Sequence, residues 1–190
     1  MSKVIVKDAR LSYAHVWEPK LNNVSGKEQY SASLIIAKTN TATINAIKKA
    51  IKEAIEEGEQ KFGAKWAASV KTPNFKIPLR DGDLERPDDT PYADSMFMNA
   101  NANPSYPPQI VDQRVQPILD RNEVYSGCYA NVSINFFPFD ASGSKGIAAG
   151  LGNIQKVRDG DPLGGGVSAS AEFEVLDDVD GESGVDDFLA

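Results

Sequence analysis

The chain has a single cysteine, Cys128, and a single histidine, His15. That scarcity excludes an intramolecular disulfide and any zinc site built from several Cys or His, and it leaves Cys128 without an evident catalytic partner. Within "VYSGCYANVSINF" the cysteine reads as buried strand filler. No apolar run reaches the roughly 18 residues that a membrane span needs, and "MSKVIVKDAR" lacks the apolar stretch and small-residue site of a signal peptide. The expected location is the cytoplasm. The sequons at Asn23 and Asn131 then carry no weight. No Gly-Lys-Ser/Thr loop is available to cradle phosphate, and "GLGNIQ" lacks the third glycine of a dinucleotide loop. The last absence is of one sign of charge. After Arg158 there is no Lys or Arg, against ten Asp or Glu. The net charge of -7 therefore hides a basic body, with 20 Lys and Arg against 17 acids, joined to a strongly acidic end.

Alternation dominates what is present. "RLSYAHVW" puts Leu11, Tyr13, His15 and Trp17 on one face, and "QYSASLII" does the same for Tyr30, Ala32, Leu34 and Ile36, which is the period of strands. "NTATINAIKKAIKEAIEEGEQKFG" carries Ile44, Ile47, Ile51 and Ile55 at helical spacing, with Asn40 or Thr41 to cap its start and Gly58 or Gly63 its end. From Trp66 to Pro117, eight prolines cut the chain into short pieces; "NFKIPLR" and "SMFMNAN" read as short strands around the acidic turn "DGDLERPDD". "YANVSINFFPF", the turn "DASGSKG" and "IAAGLGNIQKVR" read as a hairpin with a Lys-bearing tip. Beyond it, "DPLGGGVSASAEFEV" has the composition of a disordered linker. The division is one domain over residues 1–164 and an acidic tail over 165–190.

The acidic turn opens like a calcium loop but has Arg86 where glycine is required and Tyr92 where a bidentate Glu is required. A metal-dependent nuclease using Asp81 and Asp83, with Asp88 and Asp89, stays open as an alternative. The strand "YANVSINFF" carries a different chemistry. Ala130, Val132, Ile134 and Phe136 make a core face, whereas Tyr129, Asn131, Ser133, Asn135 and Phe137 mix rings with amides on the other. Rings stack on any base and amides bond to base edges or sugars, so this face suits nucleobases. Similar mixtures recur where Trp17 lies near Lys20, Phe75 beside Lys76, and Lys156 and Arg158 share a face. A basic body attracts phosphate, and an acidic tail competes for the same groove. The ending "DDFLA" adds an apolar anchor, Phe188, behind Asp186 and Asp187, as a partner's pocket would require.

"VWEP", "PLRDGD", "VYSGCYANVS", "KGIAAGLGNIQ" and "RDGDPLG" together are similar to a family of tailed-phage single-stranded DNA-binding proteins, over about residues 3 to 164. The resemblance implies a mainly β fold. Its core is a five-stranded oligonucleotide-binding (OB) barrel with an inserted amphipathic helix and extra hairpins, followed by the disordered acidic tail. Only two clear strands precede the helix, where the usual barrel order has three. Ligand would cross between loops near residues 18–27 and 140–146. The function it implies is non-enzymatic coating of single-stranded DNA in phage replication, recombination or repair, largely independent of sequence. The tail, through Asp186, Asp187 and Phe188, would recruit replication or recombination proteins and compete with DNA. Candidate stacking residues are Tyr13, Trp17, Phe75, Tyr129 and Phe137, with Asn131 beside them. Candidate phosphate contacts are Lys20, Lys27, Lys76, Arg80, Lys145, Lys156 and Arg158. No cofactor, metal or membrane is implied, and a homodimer is compatible with this reading. A DNA-mimicking interaction protein, whose body binds no DNA, is the other alternative.

Overall fold

A computed structural model describes residues 2–141 and 143–164 of the chain. The expected tail, with Asp186, Asp187 and Phe188, lies outside the described residues. In chain order the elements are β1 (Ser2–Leu21), β2 (Glu28–Ala37), α1 (Thr41–Phe62), α2 (Ala64–Ser69), β3 (Arg80–Asp81), α3 (Gly82–Glu85), β4 (Ser95–Ala102), β5 (Ile110–Val111), β6 (Tyr129–Ala141) and β7 (Ser144–Arg158). Their sheet order is β3-β4-β2-β1-β6-β7-β5, and a parallel pairing of Asn101 with Gly150 joins β4 to β7. That contact closes β1, β2, β4, β6 and β7 into a five-stranded barrel. The third barrel strand is thus β4, which follows the helix; the chain makes its helical and proline-rich excursion before completing the first three strands.

The strand periods fill the barrel. Ala130, Val132, Ile134 and Phe136 are fully buried, as the even positions of β6 require, and meet Leu34, Ile36, Met98 and Ile154 inside. On α1 the residues Ile44, Ile47, Ala50, Ile51 and Ala54 form the buried stripe that packs against β1 and β6. Asn40 stands at the start of α1, but its side chain donates to the Lys7 carbonyl at 2.9 Å rather than capping the helix. Gly63 ends the helix with φ of 83°, while Gly58 lies inside it, against the Trp66 indole. Cys128 is buried in the same core, which pushes its thiol pKa up.

The simple alternation expected over "RLSYAHVW" does not hold. Pairing with β2 shifts register between Ser12 and His15, and Tyr13 sits there with φ of 45°. This bulge turns Tyr13 outward and gives its inward place to Val16, so Leu11 and Val16 are core residues. The strand pairs with β6 from Ser2 to Arg10 and with β2 from Arg10 to Leu21, and a separate shift of register against β6 falls between Val6 and Ala9.

Candidate nucleic-acid interface

The outer face of β2 and β4 is read from their register. Ser31 pairs with Asn101, Ser33 with Asn99 and Ile35 with Phe97. Because Ala32, Leu34, Met98 and Ala100 point into the core, these three pairs share the opposite face. Two of them make a floor of hydroxyls and amides. The third is covered by Tyr92, whose hydroxyl donates to Ser33 Oγ at 3.1 Å and whose ring meets Phe97 edge-on at 5.1 Å. Gln29 Nε2 donates to Asn101 Oδ1 at 3.1 Å, fixing the amide at the other end of the floor.

Over this floor lies a cleft of about 430 Å³, walled by Tyr13, His15 and Lys20 from β1 and by Arg86 from the acidic turn. A second cleft of about 820 Å³ begins at the same Asn99 and Asn101 and runs between the segment 73–81 and β7, past Lys76, Arg80, Phe139 and Ala148. The two are lobes of one groove that crosses the barrel where β4 meets β7. The flanking turns are those joining β1 to β2 and β6 to β7, within the two loop ranges named from the sequence.

Electrostatics separates free cations from engaged ones. Among the described residues, Lys20, Lys27, Lys76 and Lys145 have no carboxylate at ion-pair distance. Lys76 N donates to the Lys145 carbonyl at 3.0 Å, which brings these two lysines together beside the second lobe. Arg80 instead forks onto Glu85 and stacks over Phe97 at 5.3 Å. His15 is held below its ordinary pKa, first by burial and then by Lys20.

The mixed face of β6 is divided. The Phe137 ring, 38% exposed, lies against Gly150 and so adjoins the closure beside Asn101. Tyr129 and Asn131 are six to eight residues along the strand, about 20–27 Å away. Tyr129 is sandwiched between Arg158 at 4.0 Å and Arg10 at 5.7 Å, and Arg158 is ion-paired with Asp8. Asn131 accepts from the Asp8 amide and donates to Gln155. Lys156, largely buried, pairs with Asp159 at 2.7 Å. Tyr129, Asn131, Lys156 and Arg158, expected as DNA contacts, thus lie away from this groove and are engaged with Arg10, Asp8, Gln155 and Asp159.

Two aromatic expectations also change. Phe75 is 8% exposed and packs edge-on against Trp66 at 5.2 Å, so it belongs to the core. Trp17 is half-buried against the core, and its Nε1 donates to the Val124 carbonyl at 2.9 Å. Sequence reasoning passed over Ser31, Ser33, Asn99, Asn101 and Arg86. The first four were legible, since "QYSASLII" and "FMNANA" alternate polar with apolar as clearly as β6 does. Arg86 had no local signal.

The acidic turn serves the fold. Asp81 and Asp83 share Lys38, at 2.9 and 2.6 Å, which holds both carboxyls below their ordinary pKa. Asp81 also caps α3 through the Asp83 amide, and Asp83 accepts from the Asp94 amide. Among the described residues no three His, Cys, Asp or Glu side chains gather as a metal site does. No helix there is long and apolar enough to cross a membrane.

A closed five-stranded barrel of this order, with a groove between two flanking turns, defines the OB-fold class. The family model described as Enterobacter phage Enc34 ssDNA-binding protein matches residues 2–185, and the chain belongs to that family. Protein p50 of Acyrthosiphon pisum secondary endosymbiont phage 1 is 33% identical over 178 residues, covering 92% of this chain and 94% of that one. The single-stranded DNA-binding protein of bacteriophage Enc34, solved in complex with ssDNA, aligns at TM-score 0.68 and 26% identity over 86% of this chain and 90% of its own. The gp2.5 single-stranded DNA-binding protein of bacteriophage T7 shares the fold, at TM-score 0.56 and 14% identity, over 93% of this chain and 99% of that one.

Proposed function

We propose that this chain coats single-stranded DNA during phage replication, recombination or repair, in the host cytoplasm, and seats the strand along the two-lobed groove. The observation that carries the reading is the shared floor of Ser31, Ser33, Asn99 and Asn101, bordered by cations that have no partner among the described residues. Bases stack on the exposed Tyr13 and on Phe137, which any base permits. Lys20 and Lys27 on one side, and Lys76 and Lys145 on the other, meet phosphates. Floor amides and hydroxyls bond sugars and base edges without demanding one sequence. The role needs no bond-making chemistry. Support comes from membership in a phage ssDNA-binding family and from the relative solved with ssDNA.

The acidic end extends the proposal. The eight acids of residues 165–190 compete with DNA for the groove, and Asp186, Asp187 and Phe188 dock a replication or recombination protein; charge and composition support this. Titration of a fluorescent oligo(dT) tests the core reading. Expected is binding far tighter than to duplex, with log affinity falling by about 0.7 for each neutralised phosphate per tenfold rise in salt. Salt-independent binding, or a preference for duplex, would overturn it, as would the DNA-mimic outcome in which residues 1–164 bind no DNA.

A further inference from the structure

We propose that Arg86 is a positioning residue that holds the Tyr13 ring as a base-stacking platform at the mouth of the first lobe. The inference rests on the groove being the seat of the strand. Tyr13 is 58% exposed and lies in the left-handed backbone region, where a bulky side chain is strained and persists only when its surroundings hold it there. A ring so displayed needs support from behind. The backbone is pinned next door, where the Ala14 amide donates to Ser126 Oγ at 3.0 Å. The ring itself meets the Arg86 guanidinium, 5.5 Å from its centroid.

Arg86 is in turn the top of a column. Its guanidinium stands 4.6 Å from the centroid of Tyr92 and 5.5 Å from that of Phe97, and Asp89 holds it at 3.3 Å. Tyr92 is anchored to the floor through Ser33, so the column runs from the sheet surface to the exposed ring. Burial disfavours the charge on Arg86, but Tyr13, Tyr92 and Asp89 more than offset that and its pKa is raised. A flat cation between aromatic rings suits this task because it stacks on both sides, which the compact ammonium of lysine cannot do. The ordinary alternative for a groove arginine is a plain phosphate contact. That role would be kept by lysine and would be indifferent to the bases.

The test compares the full chain with Tyr13→Ala, Arg86→Lys and the double variant, on oligo(dT) and on an oligonucleotide of equal length with abasic sites throughout. Losing the platform should weaken oligo(dT) binding by roughly 5- to 150-fold for Tyr13→Ala. Arg86→Lys should weaken it in the same direction, by about fivefold or more, with an unchanged salt slope. The double variant should match Tyr13→Ala within about twofold, since both remove one platform. On the abasic strand all four proteins should agree within about twofold, because no base is left to stack. If Arg86→Lys melts below the assay temperature, all four proteins are compared at a temperature below its Tm, with the same expectation. Wild-type affinity for Arg86→Lys, multiplicative losses in the double variant, or equal losses on the abasic strand would each overturn the proposal while the groove reading stands. If Tyr13→Ala itself binds oligo(dT) like the wild type, the platform falls and the proposal with it.

Discussion

Replacing Gly58 by alanine sets a helix preference against a packing limit. In a helix interior alanine is favoured over glycine by about 1 kcal/mol, so α1 alone would gain. At this position the added Cβ would stand 2.2, 2.5 and 2.7 Å from Cη2, Cζ3 and Cζ2 of Trp66. Carbon atoms rest at about 3.5–4.0 Å, so the indole must retreat by more than about 1 Å. It has nowhere to go. Trp66 is 0% exposed, lies 5.7 Å from Phe62 and 5.2 Å from Phe75, and donates from Nε1 to the Phe139 carbonyl at 3.0 Å. Overpacking costs about 1–3 kcal/mol and loss of the hydrogen bond about 1 kcal/mol. Net of the helix gain, the loss is about 1–3 kcal/mol, or roughly 2–12 °C in Tm for a domain of this size. Calorimetric melting measures it directly. A Tm equal to or above wild type would refute the packing argument and give the helix propensity the larger share.

Phe75→Ala and Phe137→Ala should separate core from surface. The first should lower stability by about 3–5 kcal/mol, and the second should leave Tm nearly unchanged while weakening oligo(dT) by about 1–3 kcal/mol. His15 has a folded pKa below its ordinary 6.5, so its contribution to stability is present above that value and is lost as pH falls toward the folded one. Bound phosphate favours the charged ring, so oligo(dT) affinity should rise as pH falls through and below the ordinary value of about 6.5, and His15→Gln should remove that part of the rise in a fluorescence titration. A chain ending at Gly166 should bind oligo(dT) more tightly than the full chain at low salt, with the gain shrinking as the Debye length falls to about 8 Å at physiological strength. Equal affinity at low salt would leave the tail without a competing role.

The elements with a strong internal period were legible in the sequence. The isoleucine spacing of α1 and the even face of β6 required only that one side of each element be buried, and they are. The resemblance carried by "VYSGCYANVS" and its companion motifs led to the family that the comparisons establish. What escaped was decided by contacts between distant segments. Phe75 looks like a ring beside a lysine until Trp66 packs on it, and Lys156 and Arg158 look solvated until Asp159 and Asp8 reach them. The bulge at Tyr13 broke a period-2 pattern with no glycine to announce it. Asn99 and Asn101 were readable as a polar alternation, yet only the register with Ser33 and Ser31 makes them a floor.

The central claim is that the strand crosses this floor, and one matched pair of substitutions tests it most directly. Asn101→Asp puts a charge where the two lobes meet and keeps an oxygen for Gln29 to donate to, so the fold should persist. Asn122→Asp makes the same chemical change at an exposed position away from the groove, beside Tyr125 and Pro162. In a low-salt oligo(dT) titration, repulsion from phosphate should cost Asn101→Asp roughly tenfold or more in affinity and leave Asn122→Asp within about twofold of wild type. Equal effects from the two variants, or a larger loss at Asn122, would contradict a strand seated over β2 and β4.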